Sequence, residues 1–398
     1  MSELQIRPSV LDAYRPDLAH DQPWSQPEMF DLSSGADQSR VDELLKAGQV
    51  RRIHDPMVIV AQSMCELEHP ETKGKPEQQL EYIESVLGQG DEYGTWVHFP
   101  WSGVLSHFPD QQMHQRLRLS RNRPLITEAD QAVLLSKKIA VIGLSVGSKV
   151  VGPLLESGIG GTYVIGDGDH LDSTNLNRID AGYHEVGDSK VHIAAKKISE
   201  KDPWIEQVHL MDGINEDNLD ALDDVDLIGE EVDALDAKAL IRLRAERNGT
   251  PLLSAADIDT KSVIHFENYA QPDGKAKMFM GRIKRSEAER ISAGGLTPAE
   301  NSKLMLKHVS PRNLTIPMME ASMRLGTEIS GLPQLGMTAT KGGADVAFLA
   351  REILLGHYTQ SGETTDSFRK TFGMGRETTI LQGAKTVFRL ILHARNLK

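Results

Sequence analysis

The chain is poor in several things that would each have fixed its class. It has a single cysteine, Cys65, in 398 residues, so an intrachain disulfide is excluded, and so is a zinc site built from cysteine pairs. Positive charge is short: 44 Lys and Arg face 57 Asp and Glu, a net of −13. That balance speaks against nucleic acid or an anionic membrane as the main partner, since both are polyanions. No apolar run approaches the ~20 residues that a membrane-crossing helix needs. The first residues, Met1-Ser2-Glu3-Leu4-Gln5, lack the basic-then-apolar pattern of a secretory signal. With the lone cysteine, this leads us to expect a cytoplasmic protein. Internal repeats are absent as well.

What is present divides the chain in two. Residues 1–115 are rich in Asp, Gln, Pro and His, with aromatics at Trp24, Trp96, Phe99, Trp101 and Phe108. Helical spacing shows at Val41, Leu44 and Leu45 and again from Met57 to Leu67. We read this part as a small, helical or mixed accessory domain. Residues 116–398 form the second domain. In it, short apolar strands alternate with helical patterns: Ile139–Ile142, Thr162–Gly166, Gln207–Leu210, Asp226–Gly229 and Pro251–Ala255, with helices after the first turn, over Lys190–Ser199 and over Leu235–Arg247. That alternation predicts an α/β fold, a Rossmann-like, mostly parallel sheet with helices on both faces. Residues 279–313, basic and glycine-bearing, read as a mobile loop or crossover. Helices over Ala344–Leu355 and Ala384–Ala394 close the domain.

The most informative stretch runs from Lys138 to Lys190. The first strand leads into Gly143-Leu144-Ser145-Val146-Gly147-Ser148. The two glycines permit a tight turn and let backbone N–H groups approach a phosphate at a helix N-terminus. Asp167 ends the next strand, where a carboxylate accepts hydrogen bonds from ribose hydroxyls. These parts fit NAD and ATP equally. Asn175, Arg178 and Lys190 tip the balance toward ATP. A site that cleaves ATP between its α- and β-phosphates needs cations where charge develops on the leaving pyrophosphate, and hydride transfer does not. Asp233, just past the fourth strand, stands where ligands bind in open parallel sheets and could hold Mg2+. Glu230 and Glu231 are possible helpers. Two rival readings stay open: a dinucleotide-dependent oxidoreductase, which shares the turn and Asp167, and a scaffold that keeps the fold without activity.

From about Arg118 to Gly356, the chain resembles the ThiF/MoeB superfamily, the ubiquitin-activating-enzyme-like adenylating fold. The resemblance is carried by Gly160-Gly161, Asp167-x-Asp169, Asn175-x-Asn177-Arg178, Gly187-x-x-Lys190 and Asp233, with Gly331-Leu332-Pro333 to Gly342-Gly343 resembling the start of that family's late helix. It implies that Asp167 holds the ribose and that Asn175, Arg178 and Lys190 hold the phosphates. By the same resemblance, Gly143, Ser145, Gly147, Asp169 and Asn177 line the nucleotide, and Asp233 holds magnesium and orients the α-phosphate. Arg118-Leu119-Ser120-Arg121 resembles the element whose arginine reaches the ATP of the partner subunit. Arg121 is the first choice, with Arg118 and Arg123 as alternates, and a homodimer follows.

The departures are informative too. Ser145 and Val146 stand where the family's turn usually has glycines. The family's zinc-binding cysteine pairs and its thioester cysteine have no counterpart, and Cys65 reads as a small core residue. The implied activity is ATP-dependent adenylation of a carboxylate, on a peptide or a small acid, with no thioester step and no zinc. In this it resembles the peptide-modifying members that make microcin and pantocin antibiotics. Some relatives carry a nitroreductase-like domain, which we do not expect within these 398 residues.

Overall fold

The structure, a computed structural model, describes residues 24–270, 276–310, 312–374, 385–386 and 389. Residue contacts divide the chain into two units, one formed by 1–128 with 195–205 and the other by 129–194 with 206–398. The expected boundary at 115/116 falls inside a continuous helix, Gln111–Arg118, so the chain does not part there.

The first unit runs β1 (Glu28–Phe30), α1 (Gly35–Lys46), β2 (Arg52–His54), α2 (Met57–Glu68), α3 (Pro76–Leu87), β3 (Thr95–Phe99), β4 (Val104–Phe108) and α4 (Gln111–Arg118). Its four strands are ordered β1-β3-β4-β2, with β2 parallel to β4 and the other pairs antiparallel. It is therefore a mixed unit with a sheet of its own. Helical periodicity showed α1 and α2, whereas strands of three to five residues carry too few positions to show alternation. Phe30, Leu44, Trp96 and Leu105 pack one core; Met57, Ala61, Met64, Val86 and Met113 pack a second. Cys65 is buried, its sulfur 3.7 Å from Thr72 Oγ1, as a core residue. Asp110 caps α4 by accepting from Met113 N at 2.9 Å.

The second unit holds α5 (Glu128–Leu135, counted from its second residue), β5 (Lys138–Ile142), α6 (Ser148–Glu156), β6 (Thr162–Gly166), the start of α7 (Lys190–Lys201), β7 (Glu206–Leu210), β8 (Leu227–Glu230), α8 (Leu235–Asn248), β9 (Leu252–Ile258) and β10 (Lys261–Glu267). After these come α9 (Arg285–Ser292), α10 (Pro298–Val309), α11 (Ile316–Arg324), α12 (Gly336–Leu354) and β11 (Gly362–Ser367). The sheet order is β11-β10-β9-β8-β5-β6-β7. Its five strands from β9 to β7 are parallel, and β10 and β11 add an antiparallel edge. Strand alternation assigns the two faces. Ala140, Ile142 and Ile228 pack with Ile241 and Ala245 of α8. The intervening residues Val141 and Gly229 look toward Val150 of α6, and Ala255 toward Gly342 of α12. Helices thus cover both faces, as the pattern predicts.

The stretch 279–313, expected to be a mobile loop or crossover, contains two helices, α9 and α10. Thr297 caps α10 through a reciprocal box with Glu300, and Pro298 takes the first helical position. Helix α12 begins eight residues before the expected Ala344. Its glycines are packing positions: a Cβ on Gly343 would stand 1.9 Å from Lys149 O and one on Gly336 2.1 Å from Asn177 O. Most of the helix expected over 384–394 lies outside the described residues; 385, 386 and 389, which are described, are helical.

Candidate nucleotide site

Strand β5 runs into the glycine turn at the carboxyl edge of the parallel strands, the edge at which open α/β sheets bind ligands. Both glycines are required by space. Gly143 has a φ of +91°, and a Cβ there would lie 2.5 Å from the carbonyl of Glu231; a Cβ on Gly147 would lie 1.9 Å from Gly143 O. The turn is thereby pressed against the end of β8.

Asp167 organises the turn from β6. Its Oδ2 accepts from Leu144 N at 2.6 Å and its Oδ1 from Asp169 N at 2.8 Å. Burial pushes its carboxyl up, and the Lys190 charge pulls it back. The buried Lys190 ammonium, at the first residue of α7, lies 2.7 Å from Asp169 Oδ2 and 3.7 Å from Asp167 Oδ1.

Arg178 is held on the other side of the turn. Its Nε donates to Ser145 Oγ at 3.0 Å, and its Nη1 donates to Thr174 O at 3.2 Å and Asn177 Oδ1 at 2.9 Å. Ser145, one of the two departures from the glycine-rich pattern, is thus the residue that ties the arginine to the turn. Asn177 in turn donates to Gln334 O at 2.8 Å, anchoring the segment ahead of α12. Asn175 Oδ1 accepts from Asp172 N at 3.1 Å and closes a short helical turn.

Asp233 is exposed, two residues past the buried Glu231, and its charge acts on Arg178 together with that of Asp257. The two expected helpers turn inward. Glu230 is fully buried between Lys238 (2.8 Å) and Arg242 (2.6 Å), and Glu231 accepts from Ala255 N at 2.9 Å. They hold the fold. Among the described residues, no group of three or more His, Cys, Asp or Glu side chains is placed to hold a metal ion.

Gly143, Ser145, Gly147, Asp167, Asp169, Asn177, Arg178 and Lys190 are therefore joined through the turn by these bonds, with Asp233 joined through Arg178. Arg121 belongs to the first unit and is exposed in it, while Arg118 pairs with Asp202 at 3.0 Å and Arg123 with Glu128. Asp257 does not stand out in the sequence, because the fifth strand continues beyond its apolar run, to Ile258, and carries this acid to the same edge.

The ThiF family pattern matches residues 119–361. An uncharacterized protein of Mycobacterium tuberculosis (strain CDC 1551 / Oshkosh), MT1398, is 30% identical over 291 residues, 72% of this chain and 40% of that one. The chain thus spans 40% of the length of that curated relative. Among solved structures, PaaA is 18% identical with a TM-score of 0.48, over 64% of this chain and 80% of that one. The Escherichia coli tRNA N6-threonylcarbamoyladenosine dehydratase TcdA, in complex with ATP, is 19% identical with a TM-score of 0.42, over 61% and 95%.

Proposed function

Since the chain belongs to the ThiF family, we propose that it adenylates a substrate carboxylate with ATP, giving an acyl-adenylate and pyrophosphate. The observation that carries this reading is Arg178, bound to Ser145 of the glycine turn at 3.0 Å at the carboxyl edge of the sheet. An arginine fixed beside a phosphate-sized turn stabilises charge on a departing pyrophosphate, and Lys190 adds a second cation. The substrate carboxylate attacks the α-phosphorus, the bond to the β-phosphate oxygen breaks, and pyrophosphate leaves. The protein supplies position and charge and needs no nucleophile of its own. With Cys65 buried in the first unit's core, we propose that the acyl group passes directly to an acceptor nucleophile with no thioester step.

Asp233 suits magnesium, which takes one or two carboxylates and fills its shell with phosphate oxygens and water. An exposed carboxylate facing Arg178 is such a donor. When bound, the metal would neutralise phosphate charge. Arg121, exposed in the first unit, would reach the nucleotide of a second copy, which makes the working species a homodimer. We further propose that the first unit takes part of a peptide or small-acid substrate. It contains an open cavity of about 1170 Å3 whose lining mixes apolar residues such as Ile59, Phe108 and Leu117 with polar ones such as Glu66, His107 and His114, roomy enough for part of such a substrate. Among the described residues, no helix is long and apolar enough to cross a membrane.

The test is carboxylate-dependent exchange of pyrophosphate into ATP, across a panel of acids and peptides. Exchange is expected with at least one of them. ATP binding without exchange across the panel would overturn the adenylation step.

A further inference from the structure

Asp257 has no part in the chemistry above, yet it stands at the same edge. It is the penultimate residue of β9, with its side chain on the face that α12 covers. Both carboxylate oxygens are buried and neither has a hydrogen-bond partner. Directly opposite on β10, Ser262 is fully buried and its hydroxyl is also without a partner. Gly342 of α12 closes over the pair: a Cβ there would lie 2.9 Å from Ser262 Oγ and 3.5 Å from Asp257 Oδ1. The space is too tight for a bound molecule, so these groups do not form a pocket of their own. What acts on Asp257 is the charge of Arg178. The hydrogen-bond partners of Arg178 (Ser145, Thr174 O and Asn177) are all neutral, so its counter-charge comes from Asp233 and Asp257.

Resting on the reading of Arg178 as a phosphate holder, we propose that Asp257 is the buried counter-ion of that arginine and sets how tightly a nucleotide phosphate is held. Without nucleotide, its negative charge offsets the guanidinium. With nucleotide, it opposes the phosphate that takes its place. It acts through Arg178 and is a positioning residue. Burial pushes its carboxyl up to about 7, with Arg178 pulling the other way. A phosphate on Arg178 cancels that pull, so the carboxyl takes up a proton as the nucleotide binds. The other charged groups around it are Glu231 at the end of β8, also buried, and, on the α12 side, Asp345 with the Lys341–Asp366 pair, which joins α12 to β11. Of these, Glu231 is raised in part by the Asp257 charge, so neutralising Asp257 eases it back toward its ordinary range.

The test compares wild type with Asp257→Asn, using ATP in the presence of a chelator so that no metal enters. Calorimetry at about pH 8.5 is expected to show the variant binding about tenfold tighter, the order of effect of one neutralised charge in a half-buried site. At about pH 6.5, where more of the wild-type carboxyl is protonated, the ratio is expected to fall toward one. Wild type alone supplies a second readout, proton uptake on ATP binding, taken from titrations in buffers of different ionisation enthalpy. It needs no variant to fold. Equal affinities at both pH values, or ATP binding with no proton uptake, would overturn the counter-ion role and leave the nucleotide site standing. No ATP binding by wild type would overturn both.

Discussion

Ser145 and Gly143 show how much a single position can decide in this turn. At Gly143, a φ of +91° and an approach that would put a Cβ 2.5 Å from the Glu231 carbonyl leave no room for any side chain. Gly143→Ala is expected to cost well over 1 kcal/mol, since both the backbone and the neighbour must shift. A drop of several degrees in melting temperature checks it, and an unchanged melt would mean that the turn is looser than described. Ser145 is different. Glycine there is compatible with the fold, but the hydroxyl that accepts from Arg178 at 3.0 Å disappears. Ser145→Gly is expected to leave stability within about 1 kcal/mol and to weaken ATP by about three- to tenfold, the worth of one hydrogen bond to a charged group. Equal ATP affinity would show that Thr174 and Asn177 suffice to hold the arginine.

At the scale of elements, the second unit is fastened by charge as well as by apolar packing. Helix α8 is pinned to β8 and β10 by Arg242, which lies 2.6 Å from Glu230 and 3.0 Å from Glu267, all three side chains fully buried. Burial alone would raise Glu230, but Lys238 and Arg242 outweigh it and hold the carboxyl at about 2. A folded value below the ordinary 4.5 means that this contribution to stability is complete above that pH and is lost as pH falls toward 2. Arg242→Met is therefore expected to destabilise by about 3–5 kcal/mol at neutral pH, because it strands buried carboxylates. It is also expected to flatten the acid-side loss, and urea titrations at several pH values read both.

These elements also show what a sequence can and cannot disclose. Strands β5, β6, β8 and the first half of β9 were legible because strands buried on both faces are largely apolar, and α7 and α8 because their apolar spacing is helical. Asp167, Arg178, Lys190 and Asp233 were legible because each sits at a strand end or just past a recognisable turn. The antiparallel edge was not legible. Strand β10 reads Lys261-Ser262-Val263-Ile264-His265-Phe266-Glu267, where buried Ser262, His265 and Glu267 are satisfied or orphaned by tertiary neighbours that periodicity does not see. Glu230 and Glu231, read as possible helpers, turn inward because Arg242, twelve residues on, folds back over Glu230 and Ala255 N donates to Glu231, contacts that the sequence does not show. Asp257 was hidden because β9 runs on past its apolar stretch to Ile258.

At the scale of the whole molecule, the expectation is a dimer that shares its sites. If Arg121 of one copy serves the nucleotide of another, then Arg121→Ala and Lys190→Ala proteins, each inactive in pyrophosphate exchange, regain exchange when mixed, because one of the two sites in the mixed dimer carries neither change. Restoration to about a quarter of wild-type activity follows from random pairing. Light scattering that finds a monomer at working concentration, or a mixture as inactive as its parts, would remove Arg121 from the site.

The central claim is that the turn at Gly143, with Arg178 and Lys190, is built to hold the phosphates of ATP. Calorimetric titration of the whole protein with Mg-ATP, and separately with NADH, tests it most directly. The account predicts that wild type binds Mg-ATP and that Arg178→Ala weakens it by about 10- to 100-fold, the worth of charge-assisted bonds to phosphate. Tight NADH binding without ATP binding, or an Arg178→Ala protein that holds ATP as wild type does, would contradict it.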